Sequence, residues 1–195
     1  MPRPIAFDPE EKLNAAMQLF WRNGFEATSL QDLVEGLGIN RFSIYNTFGD
    51  KRALFLRVLE HYYQSVFQES LKPLLLPERG LPCLEAYFSR LRKRLISSQV
   101  GEYGCLMQNT ALENSATGEL IHDYVHKVIT ELRPAFRNVL KAAVNQGQIS
   151  PQCDIETCAV FLVAQVQGLL LARRVVGVEA VEPCVDFLMR EIMRW

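Results

Sequence analysis

Arg41, Phe42, Ser43, Tyr45, Asn46 and Thr47 stand within one short stretch and hold most of what a protein needs to read a DNA groove. An arginine fork pairs with guanine, asparagine with adenine, and a serine or threonine hydroxyl with either, while an aromatic edge packs on a thymine methyl. Tyr45, Lys51 and Arg52, with Thr28 and Ser29 a little upstream, are of the types that bind phosphate and fix register without reading sequence.

Such chemistry needs a scaffold that sets these side chains on one face. Leu30, Leu33, Val34 and Leu37 share the inner side of a short helix opened by Thr28 or Ser29 and closed by Gly38. Asn40 caps a second short helix over about 41–47, with Ile44 and Phe48 pointing inward. Two short helices around a glycine turn have helix-turn-helix spacing, in which the second helix enters the major groove. Ahead of them, Asp8 and Pro9 start a helix with Leu13, Ala16, Met17 and Phe20 on one face, ended by Gly24. Behind them, Asp50 caps a long fourth helix from Lys51 towards Leu71. Arg3 precedes the first helix, either as a minor-groove arm or as a loose terminal residue. Spacing alone leaves DNA binding open, because glycine-joined short helices also occur in ordinary bundles.

The rest of the chain has helical periodicity. Pro73, Pro77, Gly80 and Pro82 mark the clearest linker. Helices follow over about 83–97, 105–113, 118–145, 155–175 and 179–194, with Gly101 and Gly104 in a turn and Pro134 expected to kink the longest helix. The fold class is all-α with about nine helices. Residues 1–52 are expected to form a small helix-turn-helix unit, the candidate DNA-binding domain, and 53–195 a larger helical unit, the candidate domain for ligand binding and dimerisation.

The 195 residues are 49% hydrophobic and 22% charged, as in globular chains. The start lacks an apolar signal segment, and no run is expected to reach the roughly 18 apolar residues of a bilayer span. Five cysteines without a CxxC predict reduced thiols, a cytoplasmic location and no membrane partner. GxSxG, Walker, GxGxxG and HExxH patterns are missing, so no enzyme is expected and no cofactor is implied. The net charge is −1, yet Arg41, Lys51 and Arg52 face only Asp50 within residues 38–52, which gives the proposed reading helix a local positive balance.

The stretch from Phe25-Glu26-Ala27-Thr28-Ser29-Leu30, through Leu37-Gly38-Ile39, to Ser43-Ile44-Tyr45-Asn46-Thr47-Phe48-Gly49-Asp50-Lys51-Arg52-Ala53-Leu54-Phe55 resembles the DNA-binding domain of TetR-family transcriptional regulators. The similarity covers roughly residues 8–60 and rests on Gly-aromatic-x-x-Thr-Ser before the second helix, then Tyr-x-x-Phe and Lys-x-x-Leu at the third-to-fourth junction. It implies phosphate contacts for Thr28, Tyr45 and Lys51, and a base-reading face of Arg41, Phe42, Ser43 and Asn46. Phe42 and Asn46 depart from the residues common there, which bears on the operator sequence. The resemblance further implies a ligand-controlled repressor whose fourth helix links head to pocket.

Few base contacts per reading helix call for a homodimer on a palindromic double-stranded operator. The 155–175 helix is apolar nearly all round, with Val160, Val163, Ala164, Gly168 and Leu171 as dimer candidates. The same pattern fits a central helix of the protomer's own core. The resemblance places a four-helix dimer interface there.

Middle helices are expected to enclose a small-molecule effector, with Tyr87, Leu91, Cys105, Met107, Tyr124, Val128, Phe136 and Phe161 as candidate walls that equally suit a plain core. Cys105 follows Gly104 near a helix start, a setting that makes thiols reactive. Relatives of the family sense electrophiles or oxidants through a cysteine in a similar Gly-Cys-Leu context, so Cys105 is either such a sensor or an inert buried thiol. His122 and His126 share a helix face at metal-gripping spacing but lack a third ligand, so no metal is predicted. A helical protein–protein interaction module without DNA binding is the alternative reading, and a small helical enzyme a more distant one.

Overall fold

A computed structural model describes residues 7–113 and 118–195, so Arg3 lies outside the described residues. Each helix of the N-terminal head starts at a side chain able to satisfy its free backbone donors. Asp8 accepts from Glu10 N at 2.9 Å to open α1 (Pro9–Asn23). Ser29 opens α2 (Leu30–Leu37) in a reciprocal capping box: its hydroxyl accepts from Asp32 N at 3.1 Å, and the Asp32 carboxylate accepts from Ser29 N at 2.7 Å. Gly38 closes α2 at φ 62°, a left-handed conformation that favours glycine. Asn40 accepts from Ser43 N to open α3 (Arg41–Phe48), and Asp50 accepts from Ala53 N to open α4 (Lys51–Tyr62), both at 2.8 Å. The α4 helix continues through a π-helical segment (Tyr63–Phe67) into a last turn at Gln68–Leu71.

The head packs around aromatic rings. Phe55 of α4 lies 4.8 Å from Phe20 and 4.9 Å from Phe25 between centroids, with Leu33, Leu37, Ile44, Phe48 and Val58 closing the core. The head's core therefore reaches past position 52, and α4 serves both halves.

The body comprises α5 (Leu81–Ser97), α6 (Gln99–Tyr103), α7 (Leu106–Leu112), α8 (Glu119–Thr130), α9 (Leu132–Asn145), α10 (Ile155–Val175) and α11 (Val181–Ile192). No strand occurs among the described residues. Tyr87, Phe88 and Phe136 form its aromatic centre, with Tyr87 edge-on to both partners at 5.2 Å.

Two expectations change here. The helix expected over 118–145 is divided at Glu131, so Pro134 falls in the first turn of α9, where its missing N–H costs no hydrogen bond. Gly101 lies inside α6 rather than in a turn, and glycine is needed there because a Cβ would collide with the Leu95 carbonyl oxygen.

By length and composition alone α10 is long and apolar enough to cross a membrane, contrary to the expectation that no segment reaches that measure; Gln165 and Gln167 are outweighed by their neighbours in the average. Its own chain covers only one side of it. Ala159, Leu162, Val166, Leu169 and Leu170 are buried, while Val160, Ala164, Gly168 and Leu171 are exposed.

Candidate functional site

The α3 helix buries only Ile44 and Phe48 and turns its other side chains outward. Arg41, Phe42, Tyr45 and Asn46 are exposed, Ser43 and Thr47 half-buried, and Phe42 keeps 74% of its surface open. The Arg41 guanidinium lies over the Tyr45 ring at 5.6 Å, and its Nη2 is 3.5 Å from the Tyr45 hydroxyl. That stack orders two long side chains before any partner arrives. The Arg57 guanidinium donates to Thr47 O at 2.8 Å and covers the Phe48 ring, so it finishes the C-terminal end of α3. The sequence reading missed this support, since Arg57 stands alone on α4 with no local pattern.

The two candidates before α2 differ from expectation. Thr28 is fully buried, and its hydroxyl donates to Gly24 O at 2.6 Å, closing the α1–α2 turn. That hydroxyl is thus unavailable to phosphate. The Ser29 hydroxyl is engaged in the capping box, where its hydrogen bonds hold the Asp32 carboxyl below the usual carboxylate range. Lys51 sits at the start of α4 with its ammonium 4.4 Å from the Phe25 ring centre and 3.4 Å from Glu26 O. Burial lowers its pKa from the ordinary lysine value, against the opposing pull of Glu113, Glu26 and Asp32.

A narrow, mainly apolar cavity lies in the body between α4, α5 and α10. Its walls include Tyr62, Tyr87, Leu91, Arg94, Cys105 and Leu170. The Tyr62 hydroxyl donates to Cys105 Sγ at 3.6 Å. Burial, reinforced by the Cys105 thiol, raises the pKa of both tyrosine hydroxyls, while Arg94 opposes the rise. Arg94 donates to Val66 O at 3.3 Å and to the Ser70 hydroxyl, which ties it to the far part of α4.

Three of the expected wall residues, Tyr87, Leu91 and Cys105, line this space. Met107, Val128 and Phe136 are instead buried in the core, with Phe136 packed behind Tyr87. Tyr124 is half-buried elsewhere, its hydroxyl raised to about 12 by burial. Phe161 is on the outer side of α10 with its ring 6.0 Å from Trp195, because that helix's inward positions are taken by Leu162 and Val166. Tyr62 and Arg94 were missed: one reads as plain core, the other as a solvated charge. His122 and His126 are exposed, and the described residues contain no cluster of three metal-ligating side chains.

Residues 13–58 match the tetR family of bacterial regulatory proteins, and residues 80–182 match the tetracyclin repressor-like C-terminal domain. The chain belongs to the TetR family. It is similar to the HTH-type transcriptional repressor ComR of Escherichia coli K12, 31% identical over 88% of this chain and 82% of that one. An uncharacterized HTH-type transcriptional regulator of Bacillus subtilis, YezE, is 30% identical over 83% of this chain and 84% of its own length. Among solved structures, the TetR-family regulator CifR, as a cysteine mutant complexed with 26-bp double-strand operator DNA, aligns with a TM-score of 0.82. That alignment is 26% identical and covers 96% of this chain and 98% of CifR. The protein is therefore a DNA-binding transcriptional regulator and not an enzyme.

In a TetR-family regulator the joints between head and body carry particular interest; beyond α4 itself they include the bond from Gln99 Nε2 to Gln18 Oε1 at 2.6 Å, and two others are built on larger contacts. Trp21 of α1 donates from Nε1 to Gly104 O at 3.0 Å, and its ring meets Tyr62 edge-on at 5.0 Å. The Glu113 carboxylate, at the end of α7, accepts from Phe25 N at 2.9 Å and from Glu26 N at 3.2 Å. Both joints span more than 80 residues of sequence, which hid them from local patterns.

Proposed function

We propose that the protein is a homodimeric, cytoplasmic repressor that binds a palindromic operator and releases it when a small molecule or thiol-reactive electrophile enters the cavity at Cys105. The observation that carries this reading is the bond from Trp21 to Gly104 O, the residue immediately before Cys105. Tyr62 bonds the Cys105 thiol on one side and packs on Trp21 on the other. An occupant that displaces Cys105 or Tyr62 therefore shifts the seat of α1, against which α2 and α4 are packed, and these two helices in turn hold the reading helix. The shift requires unequal affinity for the two head positions, since an occupant that binds both equally moves nothing.

The outer stripe of α10 supports the dimer. Val160, Ala164, Gly168 and Leu171 recur at helical spacing along one exposed side, with Val163 half-buried beside them and Phe187 of α11 exposed. A Cβ on Gly168 would meet nothing within 4 Å, which leaves room for a second helix to approach closely. An apolar side of this length favours cover by another surface. Repression agrees with the repressor ComR, and the operator complex of CifR supports double-stranded DNA as partner. Selection of bound duplexes from a random-sequence pool tests the reading. Enrichment of an inverted repeat, with affinity falling steeply as salt rises, is expected; a pool that stays random overturns it.

A further inference from the structure

The start of α10 carries two thiols that the DNA face and the cavity do not use. Asp154 caps this helix, accepting from Thr157 N at 3.2 Å and from the Thr157 hydroxyl at 2.6 Å. Cys153 and Cys158 therefore occupy the position just before the cap and the fourth helical position. These are the two positions that a hydrophobic staple brings together across a helix's first turn. Here the staple consists of two sulfurs, with Cys153 Sγ and Cys158 Sγ 3.2 Å apart.

The surrounding bonds hold that approach. Cys153 N donates to Ser150 O at 3.0 Å, and Ser150 N donates to Trp195 O at 2.8 Å. Glu156, in the same first turn, pairs with Arg133 at 3.0 Å and Arg137 at 3.7 Å. Both thiols are half-buried, which leaves them open to small oxidants while their backbones stay fixed.

We propose that Cys153 and Cys158 form a dithiol site that hydroperoxides oxidise to an intramolecular disulfide, separately from any chemistry at Cys105. The Cys153 thiolate attacks the terminal peroxide oxygen; the O–O bond breaks, the alcohol or water leaves, and Cys153 becomes a sulfenic acid. Cys158 then attacks that sulfur; the S–O bond breaks, the S–S bond forms and water departs. In sum, the two thiols give up two electrons and two protons, and the hydroperoxide is reduced to an alcohol and water. The order follows from the surroundings: burial and the adjacent Cys153 raise the Cys158 thiol to about 12, which keeps it protonated and out of the first attack. The product converts a noncovalent staple into a covalent one at the root of the helix that carries the outer apolar stripe.

Treatment of the full-length protein with hydrogen peroxide, alkylation of remaining thiols and peptide mass mapping test the proposal. The peptide holding both residues should lose two hydrogens, roughly 2 Da, carry no alkyl group, and recover both thiols on reduction. A Cys105→Ser/Cys184→Ser protein, which lacks the cavity thiol and the exposed thiol of α11 and keeps only the buried Cys83 besides the pair, should give the same product. In Cys158→Ser, Cys153 should accumulate as a sulfenic acid trapped by dimedone. Full alkylation of both thiols after peroxide has oxidised other cysteines of the same sample overturns the proposal. So does irreversible oxidation of Cys153 beside a free Cys158 in the unsubstituted protein.

Discussion

The helices α3 and α10 each leave one side uncovered by their own chain, but the two sides differ in kind. The α3 side presents Arg41, Tyr45 and Asn46 around Phe42; the α10 side presents Val160, Ala164, Gly168 and Leu171. A polar and aromatic face gains from a partner that offers hydrogen-bond edges, phosphates and methyl groups, which is a DNA groove. A stripe of small and aliphatic side chains offers no hydrogen bonds and gains from another apolar surface, most simply a second copy of itself. One helix is thus suited to reading and the other to setting the distance between two readers.

Substitutions on the two helices should separate these roles. The largest effect is expected from Leu171→Arg, which sets a charge in the stripe. The protein should sediment as a monomer and lose about 100-fold or more in operator affinity, because the linked second half-site is gone; a Leu171→Arg dimer with full affinity would break the contrast. Arg41→Ala should leave sedimentation unchanged and weaken binding by about 1–3 kcal/mol, mostly at one base position. Equal weakening on every duplex, read by competition with unrelated DNA, would make Arg41 a phosphate contact.

Trp21→Phe keeps a ring beside Tyr62 but removes the donor to Gly104 O. A loss of roughly 1 kcal/mol in stability is expected by denaturant titration, with a weaker effect of cavity occupants on the head. The smallest effect concerns the α2 cap. The folded pKa of Asp32 lies below its unfolded value, so the capping box contributes stability above the ordinary carboxylate range and loses it as pH falls through the lowered value. Ser29→Ala should flatten that acid dependence in thermal melts.

The head was legible in the sequence because its determinants are local. Ser29, Asn40 and Asp50 each bond a backbone N–H three residues on, and Gly38 stops α2 where its φ requires. Even there, Thr28 read as a phosphate ligand although its hydroxyl closes a turn, since burial depends on how α1 and α2 meet. The cavity was far less legible. Tyr62 and Arg94 reach it from different helices, and helical periodicity shows which side of a helix is apolar without showing which packed side chains border a space. Phe161 illustrates the converse: an apolar residue on an apolar helix, expected inside and found facing out. Pro134 was expected to kink one long helix; instead the chain is divided at Glu131 and proline sits in the first turn of the next helix, where it is tolerated.

Coupling between cavity and head is tested most directly by operator affinity before and after alkylation of Cys105. Fluorescence anisotropy on a labelled operator, with an α,β-unsaturated aldehyde as the alkylating probe, compares the unsubstituted protein with Cys105→Ser. The unsubstituted protein should lose at least about tenfold in affinity, a coupling of roughly 1.4 kcal/mol, while Cys105→Ser keeps its affinity. Unchanged binding by protein shown by mass to be alkylated at Cys105, or equal loss in both proteins, would contradict it.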